Sequence, residues 1–179
     1  VSLEARDFDG AVSRARRQMA LRSPPSEVAA VIGAFASQRV PKLGVAALEP
    51  LAERMGPDAA TNIALMRLAI DAEMPGLAAD LFDRQIARGA ASLAASQIGD
   101  LVDIGLVVER VDAAMNLARS VDLAALGVAQ LQALAGQALE RHQMEFLRAI
   151  AAAAGPERLN ANPVLAARIY LALEDRTRA

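Results

Sequence analysis

The sequence predicts an all-α protein assembled from stacked αα-hairpins, and three observations carry that expectation. Hydrophobic residues make up 54% of the 179-residue chain but aromatics only 3%, so Ala, Leu and Val supply nearly all the apolar character. Ala alone fills 42 positions, and Ala and Leu are the strongest helix formers, whereas the aromatic residues that favour strands are scarce. Helix breakers recur at a near-constant interval: Pro24 and Pro57 stand 33 apart, Gly56 and Gly89 stand 33 apart, and Gly155-Pro156-Glu157 begins 66 residues after Gly89. A second series interleaves with the first at Val40-Pro41-Lys42, Glu73-Met74-Pro75-Gly76 and Ile104-Gly105-Leu106, with Pro41 and Pro75 34 apart. Two interleaved series with a period of 33 to 35 define a unit of two helices.

The segments between breakers carry helical periodicity. In the first, Phe8, Ala11, Val12, Ala15 and Met19 share a face. Ser26 caps the second, whose stripe is Val28, Val31, Ile32 and Phe35. The third runs through Val45, Leu48, Leu51, Ala52 and Met55, and the fourth from Ala59 to Ala72. The fifth carries Leu77, Ala78, Leu81, Phe82 and Ile86 and stops at Arg88-Gly89, a cationic last turn followed by a left-handed glycine. The sixth spans Leu93 to Asp103 behind Ser92 as cap, and the seventh Val108 to Val121. Val121 to Leu126 reads either as a loop or as the first turn of a longer helix from Asp122. The eighth uses Leu126, Leu131, Leu134, Ala138 and Leu139, and the ninth Phe146, Leu147, Ile150 and Ala151. Asn162 caps the tenth, with Pro163 at its first position and Leu165, Ile169, Tyr170 and Leu173 following.

The best-formed unit, Ala60 to Gly89, reads ATNIALMRLAIDAEMPGLAADLFDRQIARG. It resembles the helix-turn-helix units of the tetratricopeptide and pentatricopeptide superfamily. Leu65 sits where the first helix carries its Leu, Ala78 where the second carries its small contact residue, and Phe82 where a bulky residue packs. Small residues let paired helices approach and a large one fills the gap between units. Three positions depart from the pattern: Met66 replaces a Gly, Ala69 an aromatic, and Gln85 a small residue. The resemblance implies a right-handed αα-superhelix of about five stacked units, a solenoid filling one domain, 1–179. In that phase the chain begins in a second helix and ends after a first one. The end helices are then expected to continue a longer superhelix, or to dock onto another domain or a second copy as a homodimer.

Composition narrows the chemistry. The chain has no Cys and a single His, which excludes disulfides, Cys nucleophiles and any multi-histidine metal site. The lone His142 lies among Glu140, Arg141, Gln143 and Glu145, a polar helix end. Asp80/Asp83 and Asp100/Asp103 are carboxylate pairs one turn apart, the ordinary product of solvated helix faces as well as a minimal acid/base or cation pair. No phosphate loop, HExxH, GxSxG or EF-hand pattern occurs. The expectation is a protein without catalysis, cofactor or metal. No stretch approaches the roughly 18 uninterrupted apolar residues of a membrane span. The N-terminus, with Glu4, Arg6, Asp7 and Asp9 first, lacks a signal peptide's order of basic, apolar and small residues. A chain beginning at Val1 is nevertheless expected to be a piece of a longer protein, so the compartment stays open, with cytoplasm slightly ahead of periplasm.

The resemblance directs attention to the first helices, which line the concave surface of such superhelices. The groove positions it implies are Ala29, Gly33, Ala36 and Ser37, then Ile63, Arg67, Ile70 and Asp71, then Ser96, Asp100 and Asp103, and finally Gly136 and Gln137. The groove residues retained from these are Ser37, Arg67, Asp71, Asp100, Asp103 and Gln137. Asp71, Asp100 and Asp103 either make the later groove acidic, suiting a basic or amphipathic peptide, or simply solubilise helix ends. Three function classes follow: an adaptor binding a protein segment, a helical accessory domain of a larger enzyme or of a secretion or envelope assembly, and a pentatricopeptide-like RNA binder. A net charge of −2 opposes the last. The one basic concentration, Arg14, Arg16, Arg17 and Arg22, suits the C-terminal half of an amphipathic helix as well as it suits phosphates.

Overall fold

A computed structural model describes Gly10, Ser13, Arg17 and residues 40–45, 59–89 and 93–174. Every regular element among these residues is helical and none is a strand. Gly10, Ser13, Arg17 and residues 41–45 are helical. Seven longer α-helices follow: α1 (Ala59–Asp71), α2 (Pro75–Ala87), α3 (Ala95–Val107), α4 (Val111–Arg119), α5 (Val128–Glu140), α6 (Met144–Asn160) and α7 (Pro163–Glu174), with a 3-10 turn at Leu123–Ala125. The expected stripes of the first two helices, most of the third, the Pro24 and Gly56-Pro57-Asp58 breakers, Ser92 and the rest of the Arg14–Arg22 cluster lie outside the described residues. The chain divides into two compact units, Val1–Leu93 and Ala94–Ala179.

One turn is used three times. At the end of α1 the Met74 N–H donates to the Ala69 carbonyl at 2.8 Å and Glu73 N–H to Ile70. The end of α3 repeats this, with Arg110 N–H on Gly105 at 2.7 Å and Glu109 on Leu106, as does the end of α5, with Gln143 on Ala138 at 2.8 Å and His142 on Leu139. These paired bonds, six-to-one and five-to-two, satisfy the orphan carbonyls at a helix C-terminus. They need one residue in the left-handed region, and Glu73, Glu109 and His142 supply it with φ of 60°, 61° and 55°. The carbonyls of Met74, Arg110 and Gln143 then accept the first bonds of α2, α4 and α6 from Ala78, Ala114 and Leu147. The turn residues are 36 and 33 positions apart, so the repeat is a repeat of backbone geometry.

In the first unit α1 packs on α2. Leu65, Met66, Leu68 and Ala69 of α1 and Ala78, Leu81 and Phe82 of α2 are buried. Two of the departures from the superfamily pattern find their reason here. Met66 fills core volume, and Gln85, 3% exposed, accepts a hydrogen bond through its side-chain oxygen from the amide of Asn62, 4% exposed, at 2.9 Å. A buried polar atom without a partner is costly, so the first-helix Asn and second-helix Gln occur as a pair.

In the second unit α3 packs on α4 and α5, and α5 on α6 and α7. Burial repeats in register: Ile98, Leu131 and Ala166 are buried, as are Leu101, Leu134 and Ile169. Val102 and Ala135 continue the register to Tyr170, which is open to solvent. The expected break at Ile104-Gly105-Leu106 is corrected, because α3 runs through it to Val107 and the reversal comes at Glu109. Gly105 is buried at the place occupied by Ala69 and Ala138 in the other two turns. Gly155 breaks α6 as expected, at φ 67° and ψ 170°, a region essentially restricted to glycine. Residues 121–126 resolve as a 3-10 turn, with Asp122 accepting from the Ala124 N–H at 3.0 Å. Asn162 caps α7 by accepting from the Leu165 N–H at 3.2 Å, as the sequence implies.

Candidate partner-binding face

Each first helix has a solvent face fixed by its burial pattern. On α1 that face is narrow, because Ile63, Leu65, Met66, Leu68 and Ala69 are all buried. Arg67 and Asp71, four residues apart, stand exposed on it with Ala60. Ile63, expected in the groove, is a core residue. On α3 the side opposite the core carries Ser96, Asp100, Asp103 and Val107, at spacings of three and four. The two Asp residues predicted from sequence therefore share a face, both half-buried. In the matching register α5 presents Ala129, Ala133 and Gly136, and α7 presents Val164, Arg168 and Leu171. Gln137 is half-buried, one position round from that strip, in the register place of the buried Ile104. Ser37 lies outside the described residues.

The α3 and α5 parts of this face are held together by Gln130, which sequence reasoning passed over. Its side-chain oxygen accepts from the Gly127 N–H at 2.8 Å, satisfying one of the orphan donors that begin α5. Its amide donates to the Asp103 carboxylate at 2.9 Å. The side chain lies over Gly99, where a Cβ would meet the Gln130 amide nitrogen at 3.0 Å. Gly99 thus gives the space that Gln130 occupies, and Asp103 is oriented as well as solvated. The signal was present: Gln97 makes the same backbone contact at the start of α3, accepting from the Ala94 N–H at 2.9 Å. Gln97 and Gln130 stand 33 apart, each three residues after its cap, where a capping-box side chain belongs.

The opposite, second-helix side is braced by cations. Arg119 lies over the Phe146 ring at 4.6 Å to the centroid and donates to Asn116 and Gln143. Arg141 pairs with Asp112 at 2.6 Å. His142 is exposed and in the left-handed turn, a structural position. Asp80 and Asp83 are both exposed on α2. Among the described residues no group of three or more His, Asp or Glu side chains could hold a metal ion, and no helix is long and apolar enough to cross a membrane.

Comparison of the chain with family models, with curated proteins and with solved structures finds no match in any of the three.

Proposed function

We propose that this chain is an αα-superhelical adaptor that binds a protein segment along its first-helix face and performs no chemistry of its own. The observation that carries the reading is the turn made three times at Glu73, Glu109 and His142. Within the second unit, the geometry repeated 33 residues apart at Glu109 and His142 presents α3, α5 and α7 in series. The α3–α5–α7 order supports the same reading, since each first helix packs on the next one in the second unit. The candidate positions are, in the first unit, Arg67 and Asp71 on α1 and, in the second, Asp100 and Asp103 on α3 with the small residues of α5. A basic or amphipathic segment complements the carboxylates of either unit.

Partner capture tests this. The whole chain, immobilised, is compared with a variant carrying Asp71→Ala, Asp100→Ala and Asp103→Ala. Loss of a captured protein with the fold retained is the expected result. Equal recovery of the partner by both proteins rejects the groove assignment. Retention of RNA that falls steeply with added salt would replace the adaptor by a nucleic-acid binder.

A further inference from the structure

We draw no further inference here: the strongest candidate, the exposed apolar patch of Val164, Tyr170 and Leu171 on α7, is an unpartnered helix face, and nothing in the structure shows what covers it.

Discussion

Replacing Glu73, Glu109 and His142 by Gly, singly and together, is expected to stabilise the protein. Each of these residues holds a left-handed conformation, with φ of 60°, 61° and 55°. For a residue with a Cβ that conformation costs about 1–2 kcal/mol relative to the right-handed helix. Gly removes the penalty but widens the unfolded ensemble, which returns about 0.4–1 kcal/mol. The net gain is about 0.5–1 kcal/mol at each turn, and the turns share no side-chain partner, so the three add to about 1.5–3 kcal/mol. Glu73 also makes an ion pair with Lys42 at 3.9 Å, but both side chains are mostly exposed and the pair contributes little. For a chain of this size a kcal/mol moves the melting temperature by about 2–4 °C, so the triple variant melts about 3–12 °C higher. Thermal unfolding followed by circular dichroism reads this directly. A control Gly at Arg84, on the exposed side of α2, costs about 1 kcal/mol. If the three turn positions respond like Arg84, or if only one gains, the hairpins do not share a turn and the repeat argument fails.

Three further outcomes follow from the packing. Asn62→Leu or Gln85→Leu leaves a buried amide without its partner and costs about 1–3 kcal/mol in denaturant unfolding, whereas the double variant recovers most of that loss; additive losses would mean the two amides are independent. Gln130→Ala loses both a helix-start contact and the Asp103 bond and costs about 1–2 kcal/mol. Gly99→Ala displaces the same side chain but also removes a helix-interior glycine. It should gain about 1 kcal/mol in the Gln130→Ala background and clearly less, or lose, in the natural protein; an equal effect in both backgrounds would show that Gly99 does not make room for Gln130. Asp112→Ala and Arg141→Ala each change stability by less than about 1 kcal/mol, because this pair, although 2.6 Å long, is largely solvated.

Helix periodicity and breakers with a chemical signature were legible in the sequence. Pro75, Pro163 with Asn162, Gly89 and Gly155 mark real boundaries because each carries its conformation in its residue type. The reversal at Glu109 was not legible, since nothing about Glu announces a positive φ, and nearby Gly105 gave a stronger but misleading mark. Gly105 is buried inside α3, in the place that Ala69 and Ala138 take in the other two hairpins, and the turn falls after it. The candidate face was partly legible. Asp100 and Asp103 share a face because three residues make almost one turn, which spacing alone establishes. Whether Gly136 or Gln137 faces solvent depends on a single residue of register, and the register came from the burial of Leu131, Leu134 and Ala138. Val164 and Leu171 were missed because an apolar residue on a predicted helix reads as core until a structure shows its covering to be absent from that side. The buried Asn62–Gln85 pair was visible only as a departure, Gln in a small-residue position, since its partner lies 23 residues away.

The central claim, that partners are held by the first-helix face, is tested most directly by photo-crosslinking from defined positions. A photoreactive amino acid is placed in turn at Ser96, Ala133 and Arg168 on the first helices, and at Asn116, Glu145 and Arg148 on the second helices, all exposed. The account predicts that one and the same partner is crosslinked from the first set and not from the second. Crosslinks to it from Asn116, Glu145 and Arg148 alone would place binding on the opposite side and contradict the account.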